Sequence, residues 1–222
     1  MPWLPEVAAV LQAWYPGQEV GNAIADVLTG ASEPGGRLPQ TFPRRWSDNP
    51  THSQDREVYP GLDGRMRYEE GVFVGYRHYD ATGIEPLFPF GFGLSYTTFE
   101  LSDLAIENSN FESEGRVEVN VTLTNTGNRA GSDVIQVYVG TDSAQVPRPK
   151  RELKAFTKVV LEPGQSRRVR LSLDARAFSY FASDRSCWIV EPGSFDVTAS
   201  RHARDRGLLG RLERSTRLLL PL

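Results

Sequence analysis

The sequence predicts an α+β segment followed by an all-β domain, with the junction near residue 98. Three observations carry this. A short apolar stretch, a Pro16-Gly17 break and a helical stripe form a β-turn-α unit near the N-terminus. Residues 86–96 then interleave Pro86, Pro89, Gly91 and Gly93 with Phe88, Phe90 and Phe92. From Phe99 onward, apolar residues recur at every second position, the pattern of strands with one buried face.

Val10–Tyr15 reads as a short buried strand, ended by Pro16-Gly17 before a helix that starts near Gln18 or Glu19. Val20, Ile24, Val27 and Leu28 fall on one helical face, and Gly30 stands where a left-handed C-cap is commonly needed. Such a stripe needs a sheet to cover. One or two strands precede it, so most of the layer on which it would pack lies outside these residues, and we expect a native N-terminus further upstream. Residues 44–66 are polar and turn-rich around Asp48-Asn49-Pro50 and Tyr59-Pro60-Gly61, a surface crossing. Gly71–Tyr79 is aromatic and β-branched, which predicts a strand or extended segment. The Pro/Gly/Phe run that follows reads as irregular chain anchored over a core by its phenylalanines.

Val117, Val119, Val121 and Leu123 alternate with Glu118, Asn120, Thr122 and Thr124. Ile135, Val137 and Val139 repeat the pattern, as do Val169, Leu171 and Leu173, then Phe195, Val197 and Ala199. Turns fall at Asn125-Thr126-Gly127, Pro163-Gly164 and Pro192-Gly193. Several short strands over this length predict an antiparallel β-sandwich of immunoglobulin-like architecture. No flexible linker separates the two parts, which predicts direct packing between them.

At 222 residues, 39% of them hydrophobic and 24% charged, the chain has the composition of a folded protein. A net charge of −3 gives no overall electrostatic reason to bind nucleic acid or an anionic membrane, so neither partner is expected. The arginines at 201, 204, 206, 211, 214 and 217 are interleaved with Asp205 and Glu213 and read as a solvated surface. The single cysteine, Cys187, forms no intrachain disulfide and reads as a packed strand residue beside Trp188. M-P-W-L-P-E-V at the start lacks the charged-then-apolar order of a signal peptide.

Metal and cofactor chemistry finds no foothold in the motifs. His52, His78 and His202 make no ligand spacing with Cys187. Gly91-x-Gly93 meets Tyr96 where a dinucleotide loop needs glycine, and no phosphate-binding loop or nucleophile elbow is present. No cofactor is therefore expected. Asn120-Val121-Thr122 is a formal glycosylation sequon inside a predicted strand and carries little weight.

Four ordered blocks carry a resemblance. They are A-W-Y-P-G-Q-E at 13–19, N-A-I-A-D-V-L at 22–28, G-R-L-P-Q-T-F-P at 36–43, and the stretch Tyr68–Tyr96, Y-E-E-G-V-F-V-G-Y-R-H-Y-D through P-L-F-P-F-G-F-G-L-S-Y. L-T-N-T-G, Q-V-Y-V and R-P-K-R-E-L-K-A-F extend it into the sandwich. The chain resembles the C-terminal part of glycoside hydrolase family 3 enzymes, which are β-glucosidase-like, with its fibronectin type III-like domain. The resemblance implies an incomplete C-terminal end of an α/β sandwich domain over residues 1–98. It implies a fibronectin III-like antiparallel β-sandwich over residues 99–222.

Glycoside hydrolysis uses two carboxyl groups that flank the scissile bond. The resemblance implies a retaining mechanism, with an aspartate nucleophile on a barrel domain and a glutamate acid/base upstream of A-W-Y-P-G-Q-E. Neither position matches a residue here, so no catalytic residue is assigned. Trp46-Ser47-Asp48-Asn49 lacks the tryptophan that follows the family nucleophile and falls out of block order. Of Glu69 and Glu70, the second sits in Tyr68-x-Glu70-Gly71, on a segment able to reach a pocket rim in a complete enzyme. Tyr68, Glu70 and Arg77 are accordingly the candidate substrate-binding residues. The plainer alternative pairs Glu70 with Arg77 or with backbone donors.

Trp14 and Tyr15 could stack on a sugar, but beside a Pro-Gly break they read first as packing residues. Arg148, Lys150, Arg151 and Lys154 form a basic edge, suited either to an acidic polysaccharide or to keeping an edge strand from aggregating.

The expected role is structural support within an enzyme that hydrolyses terminal non-reducing β-D-glucosyl residues. Its partners would be the β-glucoside or oligosaccharide substrate, the N-terminal barrel and the rest of the α/β sandwich, and the chain alone is expected to be inactive. Two other readings remain: a free-standing carbohydrate-binding or scaffolding β-sandwich, and the second subunit of a split glycosidase.

Overall fold

A computed structural model describes residues 1–53, 55–107 and 115–221. Gln54, within the expected surface crossing, and residues 108–114 and 222, within the expected sandwich, lie outside the described residues.

The N-terminal segment holds two helices, α1 (Val20–Thr29) and α2 (Tyr76–Thr82). Helix α1 ends as expected at Gly30, which adopts φ 77° and donates its N–H to the Val27 carbonyl. No residue of α1 is buried, and Leu28 is 69% exposed. The apolar stripe is therefore only partly covered, with Val20 and Leu28 exposed and Ile24 and Val27 half-buried.

Two expectations fail in this segment. Val10–Tyr15 is not a buried strand: Val10, Leu11, Trp14 and Tyr15 are exposed and no ladder forms there. A strand exists only by pairing, and among the described residues no neighbouring strand meets this stretch. Trp14 and Tyr15 are for the same reason not core residues. Tyr15 is fully exposed, and the Trp14 ring only tilts against Phe42, 6.1 Å away. The strand expected over 71–79 is also absent, because Gly75 turns the chain at φ 52° and helix α2 begins at Tyr76.

Between the helices, the described residues of 44–66 run as turns and irregular chain with a short 3-10 helix at Trp46–Asp48. Arg67 gathers this crossing by meeting Asp55 at 2.6 Å, Glu57 at 3.1 Å and Glu69 at 2.7 Å. The Pro/Gly/Phe run is irregular chain, as expected. Phe88 bridges to Phe42 and stacks on Phe92, and Phe90 packs at 5.3 Å on Tyr76.

The remainder is a sandwich of antiparallel strands. They are β1 (Phe99–Glu107), β2 (Val117–Asn125), β3 (Gly131–Gly140), β4 (Glu152–Leu161), β5 (Ser166–Leu173), β6 (Tyr180–Ala182), β7 (Cys187–Val190), β8 (Gly193–Ser200), β9 (Leu208–Arg214) and β10 (Leu218–Leu220). One sheet orders β1-β2-β5, the second β4-β3-β8-β9, and a small third β10-β7-β6. Because β2 pairs with β5 and β3 with β8, the chain crosses between sheets after β2 and again after β4. Asn125 holds the first crossing. Its amide donates to the Arg129 and Leu161 carbonyls at 2.7 and 3.1 Å, and its oxygen accepts from Thr97 and from the Gly127 N–H.

The core is what the alternation predicts. Val117, Val119, Val121, Leu123, Ile135, Val137, Phe195, Val197 and Ala199 are buried in one cluster. Full burial of each large side chain contributes about 1.5–3 kcal/mol before the entropy of ordering is counted. The opposite face of β2 departs from expectation, since Glu118 and Asn120 are buried too. Cross-strand partners cover them: Arg170 and Ser172 donate to Glu118 at 2.9 and 3.0 Å, and Asn120 donates to Glu107 at 3.0 Å. Cys187 lies half-buried on β7 with a free thiol.

The arginines read as a solvated surface are only in part that. Arg201 and Arg204 point back into the interface between segment and sandwich, described below, and Arg214 is buried. Arg211 and Arg217 pair with Asp196 and Glu191 nearer the surface. Among the described residues no helix is long and apolar enough to cross a membrane.

Candidate functional site

Helix α2 carries one of the candidate residues, Arg77, and the sandwich holds the helix along its length. The Tyr76 hydroxyl accepts from the Leu153 N–H at 2.8 Å, and its ring meets Tyr138 edge-on at 5.7 Å. Asp80 is buried between two arginines of the sandwich, Arg151 at 3.1 Å and Arg204 at 3.4 Å. Arg204 also donates to the Tyr79 and Ile84 carbonyls, closing the C-terminal end of the helix.

Glu152 makes a second cluster with Arg148 at 2.7 Å, Arg77 at 3.3 Å and Lys154 at 3.6 Å. Burial alone would raise the Glu152 carboxyl. Arg148, Lys154 and Arg77 outweigh it and hold the group below the usual carboxylate range. Arg148, Arg151 and Lys154 are thus ion-paired within the fold, so three of the four charges of the expected basic edge are engaged internally. Strand β4 is nonetheless an edge strand.

A third cluster lies at the other end of the interface. Arg37 donates to Asp133 Oδ1 from Nε at 3.1 Å and Nη2 at 2.7 Å, while Arg201 donates to Oδ2. Beside it Glu33 accepts from the Ser132 N–H and hydroxyl at 3.2 and 3.1 Å. Arg129 donates to the Gly30 carbonyl at 2.7 Å, and the Tyr96 hydroxyl donates to the Val27 carbonyl at 2.6 Å.

The three candidate residues occupy different settings. Tyr68 is 74% exposed. Glu70 is half-buried, and its Oε2 is buried without a hydrogen-bond partner among the described residues. Of the plainer alternative, an ion pair with Arg77 or bonds to backbone donors, neither part is seen among the described residues: Arg77 is engaged by Glu152 and by the Val72 carbonyl at 3.4 Å. Glu69 is held by Arg67. Arg77, but neither Tyr68 nor Glu70, lines an open hollow of about 500 Å³ between residues 39–50 and α2.

Sequence reasoning missed Asp80, Asp133 and the hollow. Asp133 left a trace, for it falls in phase with Ile135, Val137 and Val139, and an acid in register with a core face needs a buried partner. No spacing signals the hollow, whose walls come together only in three dimensions.

The fold and its interface define a class: an immunoglobulin-like sandwich clamped by ion pairs onto α2 and Arg37 of an α/β segment. Residues 1–96 match the model of the glycosyl hydrolase family 3 C-terminal domain, and residues 133–203 match the fibronectin type III-like domain. A β-glucosidase of Rhizobium radiobacter is 49% identical over 205 residues, 92% of this chain and 25% of that protein. Thermostable β-glucosidase B of Acetivibrio thermocellus is 45% identical over 92% of this chain and 27% of its own length. The solved structure of β-glucosidase 3B from Thermotoga neapolitana in complex with α-D-glucose superposes with a TM-score of 0.90 at 38% identity, covering 100% of this chain and 30% of that one. The chain belongs to glycoside hydrolase family 3, of whose enzymes it is a C-terminal part. It spans about a quarter of the length of the curated relatives it matches.

Proposed function

We propose that this chain acts within a β-glucosidase-like enzyme that hydrolyses terminal non-reducing β-D-glucosyl residues with retention, and that its own contribution is structural. Residues 1–98 would close an α/β sandwich and residues 99–222 would form the supporting β-sandwich. The observation that carries the reading is the match of the whole chain to a β-glucosidase structure at TM-score 0.90 and 38% identity. The nucleophile and the acid/base would come from the barrel and the preceding part of the α/β sandwich. The partly exposed stripe of α1 fits the same reading, because a sheet from that preceding part would bury it.

Within that enzyme Tyr68, Glu70 and Arg77 would stand at the rim of the substrate pocket. Glu70 is the strongest of the three, since its Oε2 has no hydrogen-bond partner among the described residues and a buried carboxylate oxygen ordinarily has one. Arg77, fixed by Glu152, would hold the segment in place. The free-standing binding module is less well supported, because such a module would not be expected to leave α1 uncovered.

The test is an aryl β-glucoside assay. The chain alone should show no turnover, and Glu70→Gln in the complete enzyme should raise KM or lower kcat/KM. Turnover by the clean chain, or an unchanged Glu70→Gln enzyme, would overturn the corresponding half of the reading.

A further inference from the structure

Residues 68–75, which carry Tyr68 and Glu70, have little apolar burial to fix them in place. Val72 and Val74 are 51% and 46% exposed, and Gly71 and Gly75 bracket them at φ 54° and 52°. The Gly71 N–H donates to the Tyr68 carbonyl at 3.4 Å and the Phe73 N–H to the Glu70 carbonyl at 2.9 Å, bonds that shape the turn from within. A stretch with exposed side chains and left-handed glycines keeps one position only if something tethers it.

Arg77 supplies the tether. Its Nη1 donates to the Val72 carbonyl at 3.4 Å, and its Nη2 stands 3.3 Å from Glu152 Oε1 on β4. Glu152 is fixed in turn from the sandwich side. Its Oε2 accepts from Arg148 at 2.7 Å, and Arg148 donates to the carbonyls of Phe178 and Ser179, both buried, at 2.9 and 3.2 Å. The side chains of Arg148 and Glu152 are 8% and 13% exposed, so solvent and salt screen the pair far less than a surface one. Tyr76 and Asp80 tie α2 itself to the sandwich, whereas at Arg77 the tie passes back to Val72, two residues from Glu70.

We infer that Glu152 is a positioning residue: acting through Arg77, the fibronectin type III-like sandwich sets where Glu70 stands at the substrate rim. The inference rests on the rim role proposed above and deepens it, since a domain read as support then tunes substrate affinity through one carboxylate.

Two readouts test it. In the chain itself, Glu152→Gln should accelerate hydrogen exchange at amides 71–74 and leave those of 117–123 unchanged. In the complete enzyme it should raise KM for an aryl β-glucoside about fivefold with kcat changed by less than about twofold, the pattern of lost binding rather than lost chemistry. Because Glu152 acts through Arg77, adding Glu152→Gln to Arg77→Met should raise KM no further, whereas an independent role would add its own loss. Lys154→Met removes another cation from the same carboxylate and should leave KM unchanged. Glu152→Asp keeps the charge among its cations but draws the oxygens back by one methylene. It should raise KM by less than Glu152→Gln, and it carries the test if the amide variant folds poorly. Unchanged KM in both Glu152 variants, additive losses with Arg77→Met, or exchange accelerated throughout the chain would overturn the inference and leave the rim reading standing, provided Arg77→Met or Glu70→Gln raises KM. If neither does, the rim reading fails and this inference falls with it.

Discussion

Arg37 and Asp133 stand ninety-six residues apart in sequence and meet through two hydrogen bonds to one carboxylate oxygen, at 3.1 and 2.7 Å. Asp133 is fully buried on β3, and its second oxygen takes Arg201, so one carboxylate joins the α/β segment, the sandwich core and the loop after β8. Removing it would leave two guanidinium groups facing each other without a counterion. Asp133→Ala is therefore expected to cost about 3–5 kcal/mol, whereas Arg37→Ala, which leaves Arg201 on the carboxylate, should cost less. Urea midpoints of the two variants measure this. Equal losses would show that the carboxylate is not the hub of the cluster.

Asp80 plays the corresponding part for α2. A seven-residue helix is marginal by itself, so its stability must come from what clamps it. Because Arg151 and Arg204 are each partly exposed, Asp80→Ala should cost a smaller amount, about 1.5–3 kcal/mol. Hydrogen exchange should accelerate at the amides of residues 76–82 and leave β2 unchanged. Uniform acceleration across the chain would mean that α2 does not open separately.

His202 supplies a pH dependence. Burial is the main cause that lowers its pKa below the ordinary value, with Arg201 and Arg151 acting the same way and Asp205 and Asp133 partly opposing. The neutral ring also accepts the Arg204 N–H through Nδ1 at 3.2 Å. Since the unfolded chain binds this proton more tightly, stability should fall as pH drops below about 6.5 and level off beneath the folded value. His202→Gln should flatten that part of the curve. An unchanged slope in urea melts between about pH 5 and 7 would refute the assignment.

The sandwich, rather than α1, is where apolar burial contributes to stability. Leu123→Ala should cost about 2–5 kcal/mol, as expected for a fully buried leucine. Leu28→Lys on the uncovered face of α1 should change stability by no more than about 0.5 kcal/mol in this chain. A large loss from the second substitution would show that the α1 stripe is covered in solution.

Much of this fold was legible in the sequence. Val117 to Leu123 and Ile135 to Val139 alternate cleanly because one face of each strand meets the core, and the Val20–Leu28 stripe with Gly30 announces a helix and its end. What misled was propensity without context. The aromatic and branched residues before α2 favour a strand locally, yet Gly75 turns the chain and the clamps from β4 and Arg204 make Tyr76–Thr82 helical. Val10–Tyr15 has the composition of a strand and no neighbour with which to pair. Of the candidate site, Tyr68, Glu70 and Arg77 came from the resemblance of their motif. Thr41 and Tyr79 had no signature, since a hydroxyl reveals itself as unpartnered only once every neighbour is placed.

The sequence by itself determined the two-part architecture, the inward faces of the strands and the family, because periodicity and ordered motifs are local properties of the chain. Only the tertiary structure decided that the charges of β4 and the 201–204 loop turn inward onto Asp80, Glu152 and Asp133. The reason is physical: whether an arginine is solvated or paired depends on which carboxylate shares its burial, and those partners lie about 70 to 120 residues away or across a turn from it.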